Sequence, residues 1–441
     1  MMSQREIPEQ DVYEPTPLAQ SMSLDEQVRY LMQGCQYGPE GDPDAELLKK
    51  RMEEELRSRL EEAMRTRVPL RVYLGVDPRT SDLHLGHTVP MRKLRQFQEL
   101  GHTAIFLIGS FTSLVGDPSD KDKARQLMDL DTILENARTY TEQAFKILDP
   151  EKTVIRYNHE WLAKLTFQDL IHIASYFTVQ QFLSRENFRK RYDKGDAIFL
   201  HEFFYPLMQG YDAVALRADA QVGGTDQIFN IVVAGRKLQE AFGQRPQVAV
   251  IVPILPGTDG VVKMSKSLGN HIPIMASPED MYGKIMSLPD HVMIIYFKLV
   301  TRYKPDQIEQ IERDLREGRR HPRDVKMELA REIVSIFHGE EAAKRAEAHF
   351  VRVFQQRNLP EDMPEMVVTE STRLVDLIAQ AGLTKSKGEA RRLIQQGGVQ
   401  LDGEKVKDIN AVFTPDGQDH VLRVGRRKFL RLCSGAKADG E

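Results

Sequence analysis

The sequence predicts an α/β protein in which a parallel-sheet domain is followed by an all-α domain and a small α+β domain. Between residues 67 and 275, short apolar segments typical of buried strands alternate with segments of helical periodicity. From 276 to 355 the pattern is helical throughout, and after residue 370 helix and hairpin signals alternate over a short span. Because strand, helix and strand in succession favour a parallel βαβ arrangement, the first region is expected to form a Rossmann-like sheet.

The length of the chain indicates the number of domains, and its charge limits the kinds of partner that it can bind. A chain of 441 residues is expected to form roughly two to four domains. The net charge is -4, yet residues 371–433 carry twelve Lys/Arg against seven Asp/Glu, so the C-terminal piece is the basic one. A uniformly basic nucleic-acid binder is therefore excluded. No DNA partner is expected.

Cysteine content and hydropathy point to a reducing compartment. Only Cys35 and Cys433 occur, and they are far apart in the chain, so neither a disulfide framework nor a cysteine zinc site is expected. The first residues lack an apolar leader segment, and no apolar run approaches the length that spans a bilayer. We therefore expect a cytoplasmic protein without a membrane partner.

The first strand and helix enclose a candidate phosphate site. Leu70–Val76 is an apolar strand segment that ends before Pro78, and a helix is expected to begin at His87. His84 and His87 then lie near a helix N-terminus, where unpaired N–H groups and the helix dipole favour an anion. Gly86 would let a ligand approach the backbone. Taken alone, the two histidines could equally be ordinary surface residues.

A second motif follows the last convincing buried strand, Val248–Leu255. Lys263-Met264-Ser265-Lys266-Ser267 would by itself usually be a solvated basic loop. However, His84–His87 resembles the HIGH signature of class I aminoacyl-tRNA synthetases, and Lys263–Ser267 matches their KMSKS signature letter for letter. The resemblance implies that His84, His87, Lys263 and Lys266 act on ATP.

Two segments between these motifs contain further polar residues that are candidates for ligand binding. Tyr205, Gln209 and Asp212 are spaced i, i+4 and i+7, which places them on one face of a helix. The competing interpretation is a core helix with an amphipathic tyrosine. Further on, the strand at 218–222 leads to Gly224 and Asp226, where an acid after glycines is well placed to accept hydrogen bonds from ribose hydroxyls.

The C-terminal segment combines a basic helix with a hairpin signal at Asp402-Gly403. It is similar to the small RNA-binding domain of ribosomal protein four of the small subunit. This resemblance implies that Lys385, Lys387, Arg391 and Arg392 face tRNA phosphates. The alternative interpretation is a solvated basic face.

From about Asp42 to Cys433 the chain resembles the bacterial-type tyrosyl-tRNA synthetases. The resemblance implies activation of L-tyrosine by ATP to tyrosyl-adenylate, with release of pyrophosphate, and transfer of tyrosine to the terminal adenosine of tRNA(Tyr). It also implies Mg²⁺ carried with ATP rather than held in a protein site, no zinc, and a homodimer.

The family motifs imply a role for individual residues. Tyr73 and Asp212 would both hydrogen-bond the phenol hydroxyl of the substrate. The implied tyrosine-binding set is Tyr73, Asp117, Tyr205, Gln209, Asp212 and Gln227. The implied ATP-binding set is Asp77, His84, Gly86, His87, Gly224, Asp226, Lys263 and Lys266. Lys121 and Arg125 match family positions that approach pyrophosphate and are counted as catalytic candidates.

Domain boundaries follow from the pattern and the resemblance together. We expect an N-terminal extension and helix (1–66), a catalytic domain (67–275), a helical anticodon-arm-binding domain (276–355), a linker (356–370), an RNA-binding domain (371–433) and a disordered tail (434–441).

One departure and two alternatives stay open. The family often has threonine directly after the proline of the first loop, where this chain has Arg79 and then Thr80. The resemblance therefore does not extend to the phosphate contact that the family assigns to this threonine. The alternatives are a tryptophanyl-tRNA synthetase and a non-catalytic RNA-binding protein on a synthetase scaffold.

Overall fold

The computed structural model describes residues 12–78, 82–118, 129–357, 363–425 and 428–434. These residues divide into two compact units, Met1–Glu347 and Ala348–Glu441. Among the described residues, every helix is too short or too polar to cross a bilayer. Apart from Ser434, the predicted disordered tail lies outside the described residues.

Three helices precede the first strand. They are α1 (Pro17–Gln20), α2 (Leu24–Met32) and α3 (Pro43–Thr66). Helix α2 begins with a capping box, in which the hydroxyl of Ser23 accepts from the Glu26 N–H and the Glu26 carboxylate accepts from the Ser23 N–H. On α3, the apolar stripe of Met52, Leu56 and Leu60 is fully buried, so this charged helix packs through one face.

The sheet of the first unit has five parallel strands in the order β3-β2-β1-β4-β5. The strands are β1 (Arg71–Val76), β2 (Thr103–Ile108), β3 (Thr153–Tyr157), β4 (Ala220–Gly224) and β5 (Val248–Val252). Tyr73 on the central strand lies opposite Ile105 on one side and Gln221 on the other. The strand order reverses between β1 and β4, and ligands of such sheets bind beyond the carboxyl ends of the strands at that point.

Helices connect these strands and cover the sheet. They are α4 (Leu85–Glu99), α5 (Thr112–Val115), α6 (Leu130–Ala144), α7 (His159–Leu162), α8 (Phe167–Ala174), α9 (Val179–Leu183), α10 (Glu186–Lys194), α11 (Phe204–Leu216) and α12 (Arg236–Ala241). Short 3₁₀ turns lie at Leu200–Phe203, Thr225–Gln227, Lys266–Leu268 and Asp290–Val292, and Phe229–Gly235 is a π-helix. The π-helix runs directly into α12, so the helical pattern after Gln227 is present but begins with a wider turn.

The region from 276 onward is helical, as the sequence predicts. Its helices are α13 (Pro278–Met286), α14 (Met293–Val300), α15 (Pro305–Arg316), α16 (Pro322–His338) and α17 (Glu340–Arg357). Helices α13, α15 and α16 begin at proline, which lacks the N–H that a first helical residue leaves unpaired. Residues up to Glu347 belong to the same compact unit as the sheet.

After the end of α17, the described residues of the second unit form a mixed sheet, a two-stranded sheet and two further helices. Its elements are β6 (Glu365–Val368), β7 (Thr372–Arg373), α18 (Leu374–Gln380), α19 (Lys387–Gln395), β8 (Val399–Leu401), β9 (Glu404–Lys405), β10 (Val412–Phe413), β11 (His420–Val424) and β12 (Lys428–Ser434). The sheet order is β6-β12-β11-β8-β9, and β10 pairs with β7. With the parallel sheet and the helical region, this α+β unit confirms the predicted fold class.

Two details of the second unit bear on the sequence analysis. The hairpin signal is confirmed, because β8 and β9 pair around Asp402 (φ 51°) and Gly403 (φ 87°), the two left-handed positions that such a tight turn requires. Part of the expected linker is different: residues 365–368 form β6 and pair with β12. Three of these four residues, Met366, Val367 and Val368, are apolar, and the Val368 side chain is buried in the core of this unit.

Candidate active site

A cleft of about 980 Å³ opens where β1 and β4 end, at the reversal of strand order. Fourteen of the residues that the sequence analysis singles out line it. They are Tyr73, Asp77, His84, Gly86, His87, Asp117, Tyr205, Gln209, Asp212, Gly224, Asp226, Gln227, Lys263 and Lys266. Lys121 and Arg125 lie outside the described residues, and Lys385, Lys387, Arg391 and Arg392 belong to the second unit.

The two histidines at the start of α4 hold each other in place. His84 is the N-cap, and its ring Nδ1 accepts a 3.2 Å hydrogen bond from the Gly86 N–H. The His84 N–H donates in turn to Nδ1 of His87 at 3.2 Å, and the ring centroids are 3.9 Å apart. Because each Nδ1 accepts, each neutral ring carries its proton on Nε2.

Position 86 needs glycine because of the His84 ring as well as because of an incoming ligand. A Cβ at Gly86 would lie 2.9 Å from Cε1 and 3.0 Å from Nδ1 of His84. Any side chain there would push the imidazole away from the N–H that caps it. The prediction that this position needs glycine therefore has a second physical reason, which comes from packing.

Both histidines are neutral near pH 7. Burial, with smaller contributions from the neighbouring His87 and His271, lowers the pKa of His84 to about 3. Burial also lowers the pKa of His87 to about 4. The sequence analysis expects phosphate to be attracted here. The structure supplies uncharged N–H donors for that purpose rather than imidazolium cations.

Segments next to the two motifs contact each other, although 184 positions separate Lys266 from Asp82. His84 forms an antiparallel bridge with Pro273, and the Leu85 N–H donates to the Ile272 carbonyl at 3.0 Å. Nζ of Lys266 forms an ion pair with the Asp82 carboxylate just before the histidines. The predicted pairing of the two motifs in one site is therefore present in the fold.

Asn270 holds the backbone of the basic loop. Its Oδ1 accepts from the Ser265 N–H at 2.9 Å, and its Nδ2 donates to the Lys263 carbonyl at 3.1 Å. Nδ2 also donates to Asp259 at 2.6 Å. These bonds fix where the two lysines leave the loop.

At the inner end of the cleft, Tyr73 and Asp212 are both buried. The Tyr73 hydroxyl has no hydrogen-bond partner among the described residues. Asp212 Oδ1 accepts from the Trp161 indole at 2.8 Å, and Oδ2 accepts from Asn158 at 3.2 Å. Burial nevertheless raises the pKa of Asp212 to about 8, since the two donors only partly offset desolvation. Burial and the charge of Asp212 raise the pKa of Tyr73.

Sequence reasoning missed three residues here: Thr112, Asn158 and Trp161. Asn158 follows β3 directly, accepts from the Phe111 N–H at 2.8 Å and donates to the Thr112 hydroxyl at 3.1 Å. Asn158 could have been predicted as a site residue, because it is a polar residue directly after a buried parallel strand. No local pattern distinguishes Trp161.

Helix α11 presents Tyr205, Gln209 and Asp212 to the cleft, which confirms the predicted shared face. Gly210 faces away from the cleft and packs closely, since a Cβ there would lie 2.9 Å from Leu238. The Tyr205 hydroxyl donates to Asp77 Oδ2 at 3.0 Å. Asp77 therefore lies beside a residue of the predicted tyrosine-binding set.

The side-chain amide of Gln227 links two carboxylates of the cleft, those of Asp117 and Asp226. Nε2 of Gln227 donates to Asp117 Oδ2 at 2.5 Å and to Asp226 Oδ2 at 2.8 Å. Nδ2 of Asn230 donates to Oε1 of Gln227 and to Oε1 of Gln209, both at 2.9 Å. This network connects the loop after β2, the loop after β4 and α11. It places carboxylates where an ammonium group or ribose hydroxyls could bind.

Comparison with known proteins gives two family matches. Residues 65–355 match the family described as class I tRNA synthetases (W and Y). Residues 355–432 match the tyrosine–tRNA ligase SYY-like C-terminal domain.

Among curated relatives, the tyrosine–tRNA ligase of Thermotoga maritima is 52% identical over 366 residues, which is 83% of this chain and 91% of the relative. That of Moorella thermoacetica is 53% identical over 382 residues, 86% of this chain and 92% of the relative.

Solved structures resemble the fold at lower identity. A C-terminally truncated mitochondrial tyrosyl-tRNA synthetase of Aspergillus nidulans is similar with a TM-score of 0.58 and 22% identity, over 76% of this chain and 97% of that one. The Archaeoglobus fulgidus tyrosyl-tRNA synthetase, solved with L-tyrosine, gives a TM-score of 0.54 and 22% identity, over 74% and 100%.

Proposed function

This chain belongs to the tyrosine–tRNA ligases, which are class I aminoacyl-tRNA synthetases, and we propose how its cleft carries out the two steps of that reaction. The tyrosine carboxylate attacks the α-phosphorus of ATP, the bond to the β-phosphate breaks, and pyrophosphate leaves. A ribose hydroxyl of the terminal adenosine of tRNA(Tyr) then attacks the carbonyl of tyrosyl-adenylate, and AMP leaves.

We assign the tyrosine pocket from two buried residues at the inner end of the cleft, Tyr73 and Asp212. The Tyr73 hydroxyl is buried without a partner, and the Asp212 carboxyl is oriented by Trp161 and Asn158. A substrate phenol hydroxyl would donate to Asp212 and accept from Tyr73. Phenylalanine would leave the Tyr73 hydroxyl unpaired and would remove one hydrogen bond to Asp212, and an unpaired buried hydroxyl costs about 1–3 kcal/mol. The pocket thus selects tyrosine by its hydroxyl.

The ammonium of tyrosine is placed near Asp117, Tyr205 and Gln209. A cation prefers a carboxylate and neutral acceptors, and these groups line one wall of the cleft. Gln227 would face the reacting carboxylate, while Gly224 and Asp226 meet the ribose of the adenosine. A Cβ at Gly224 would lie 2.4 Å from Asp226 Oδ1, so glycine leaves this carboxylate its space.

No protein nucleophile is needed, so catalysis is positioning and charge stabilisation. His84 and His87 donate from Nε2–H to phosphate oxygens, and Lys263 and Lys266 approach the leaving pyrophosphate from the loop. Lys121 and Arg125 approach it as well, by their match to family positions.

Mg²⁺ is expected to arrive with ATP. Among the described residues, no group of three or more His, Cys, Asp or Glu could hold a metal ion. When bound, Mg²⁺ supplies positive charge to the phosphates. Asp77 stays in the proposed ATP-binding set, although it accepts a hydrogen bond from Tyr205, a member of the proposed tyrosine-binding set.

The helical region and the C-terminal unit are proposed to bind tRNA. Helix α19 begins at Lys387 and buries Ala390 and Ile394, while Lys385, Lys387, Arg391 and Arg392 are exposed. Exposed cations before and along the first two turns of α19 suit phosphate contacts, which are salt-dependent and largely independent of base sequence. A tRNA partner also favours the cytoplasm as the location.

A homodimer is supported by an exposed apolar surface on the first unit. Phe167 is 78% exposed and Leu200 70% exposed, and Ile171, Val179 and Phe199 are each more than half exposed. Five large apolar side chains in one stretch of 34 residues are more than scattered surface residues account for. We propose that a second copy of the chain covers them.

The test is ATP–pyrophosphate exchange with each of the twenty amino acids, on the wild-type protein and on Asp212→Ala. Exchange with tyrosine alone, lost or broadened in the variant, is the expected result. Exchange with tryptophan alone would instead favour a tryptophanyl-tRNA synthetase. Absence of exchange with every amino acid, with RNA binding retained, would favour the non-catalytic RNA-binding scaffold.

A further inference from the structure

Five polar residues along the wall of the cleft are joined by side-chain hydrogen bonds into one hydrogen-bond chain. In order, they are Asp212, Asn158, Thr112, Asp77 and Tyr205. Nδ2 of Asn158 donates to Oδ2 of Asp212 at 3.2 Å and to Oγ1 of Thr112 at 3.1 Å. Oγ1 of Thr112 donates to Oδ1 of Asp77 at 2.8 Å, and the Tyr205 hydroxyl donates to Oδ2 of Asp77 at 3.0 Å. The hydrogen-bond chain therefore joins the proposed phenol-binding carboxyl group to a residue of the proposed ammonium site.

The direction of the bonds at Thr112 follows from the donors of Asn158. Oδ1 of Asn158 accepts from the Phe111 N–H at 2.8 Å, so turning the amide over would lose that bond. The two hydrogens on Nδ2 of Asn158 then go to Asp212 and Thr112. The single hydroxyl hydrogen of Thr112 goes to Asp77. Thr112 thus accepts and donates at the same time, which serine can also do and valine cannot.

Gly109 leaves the space that the bond between Thr112 and Asp77 needs. It follows β2 directly and lies three residues before Thr112. A Cβ at Gly109 would lie 2.1 Å from Oδ1 of Asp77 and 2.4 Å from Oγ1 of Thr112, so a side chain there would separate the bonded pair. Thr112 is only 3% exposed, so bulk water cannot readily replace a lost bond.

We propose that Thr112 is a positioning residue that fixes the phenol-binding and ammonium-binding ends of the tyrosine pocket relative to each other. This inference rests on the proposed function of the cleft. Asp212 and Tyr205 both belong to α11, whereas Asn158, Thr112 and Asp77 follow the neighbouring strands β3, β2 and β1. The hydrogen-bond chain holds α11 to the sheet at both ends of the pocket, and Thr112 acts on tyrosine through its two neighbours.

The test measures the Kd of L-tyrosine in the absence of ATP, by equilibrium dialysis, for the wild-type protein, Thr112→Val and Thr112→Ser. Valine has nearly the shape of threonine but neither donates nor accepts, so the Kd should rise at least about threefold. Serine keeps the hydroxyl, and its Kd should stay within about twofold of the wild-type value.

Thr141→Val is the matched control. Thr141 is also 3% exposed, but its hydroxyl donates at 2.7 Å to the Ala137 carbonyl of its own helix, α6. Thr141→Val and Thr112→Val should both lower Tm, because each removes one buried hydrogen bond. The Kd of L-tyrosine should change in Thr112→Val and stay at the wild-type value in Thr141→Val, which separates positioning from a general loss of stability.

A double-mutant cycle with Tyr205→Phe tests the hydrogen-bond chain itself. The hydroxyls of Thr112 and Tyr205 donate to the two oxygens of Asp77. Because both act on one carboxylate, the Kd of the double variant should differ from the product of the two single effects by about twofold or more. Effects that simply multiply would overturn the inference.

A wild-type Kd in Thr112→Val would overturn the inference as well. An equally raised Kd in Thr112→Ser would do the same, because a retained hydroxyl would then not be sufficient. If Thr112→Val does not fold, Gly109→Ala keeps every hydroxyl but separates Thr112 from Asp77, and a wild-type Kd in that variant would also overturn the inference. Absence of L-tyrosine binding by the wild-type protein would overturn the proposed function itself, and the inference with it.

Discussion

The indole Nε1 of Trp161 donates a 2.8 Å hydrogen bond to Oδ1 of Asp212 at the inner end of the cleft. Trp161 is the only tryptophan of the chain, and it lies on the short helix α7 that follows β3. With Asn158 on the other oxygen, this bond orients a buried carboxyl group whose pKa is raised by burial. Selection of tyrosine thus depends on donors from outside α11.

Trp161→Phe should weaken tyrosine binding selectively. The variant keeps an aromatic ring but removes the donor, and a hydrogen bond between neutral groups contributes about 0.5–1.5 kcal/mol. We expect the KM for tyrosine in ATP–pyrophosphate exchange to rise by about twofold to tenfold, with the KM for ATP unchanged. An equal rise in both KM values would contradict a specific role for the indole and indicate general disruption of the cleft.

Asp212→Asn should stabilise the protein more at alkaline than at acidic pH. In the folded protein Asp212 loses its proton near pH 8, and in an unfolded chain near about pH 3.9. Between these values the folded state binds more protons, so the free energy of unfolding of the wild type falls as pH rises. The difference in Tm between variant and wild type should therefore grow from pH 5 to pH 8, measured by calorimetry, and then level off. A difference that stays constant from pH 5 to pH 8 would show that Asp212 is already ionised in the folded protein over this range.

Lys266→Ala should lower the rate of exchange without weakening tyrosine binding. Removing one group that stabilises charge in a transition state typically costs about 10²–10³ in kcat. The matched control is Asp82→Asn, which removes the ion-pair partner but keeps the lysine. Because both side chains are more than 60% exposed, the pair adds little stability, and Asp82→Asn should leave Tm and kcat near wild-type values. Loss of activity in Asp82→Asn as severe as in Lys266→Ala would mean that the ion pair, rather than contact of the lysine with pyrophosphate, matters.

Arg391→Gln with Arg392→Gln should weaken tRNA binding and leave exchange intact. Exchange requires no tRNA, whereas each phosphate contact contributes about 0.7–0.9 to the slope of log K against log salt concentration. We expect the slope to fall by about 1–2 in a filter-binding titration. Lys50→Gln, an exposed charge change on α3, serves as the control and should not alter the slope. An unchanged slope in the double variant would favour the alternative of a solvated basic face.

Tyrosine binding, exchange and tRNA binding report on different parts of the molecule. The Trp161 and Asp212 variants test the inner pocket, Lys266→Ala tests the basic loop, and the arginine variants test the second unit. We expect the effects at these three places to be separable, because each is read out by a different measurement.

The sequence by itself determined the strand–loop–helix pattern, the two signature motifs, the shared face of Tyr205, Gln209 and Asp212, and the hairpin at Asp402-Gly403. These features depend on local backbone preferences and on periodicity, which neighbouring residues encode. Only the tertiary structure decided that Trp161 and Asn158 orient Asp212, and that His84 and His87 are neutral. Desolvation and hydrogen bonding between distant segments set those properties, and both arise only when the chain has packed.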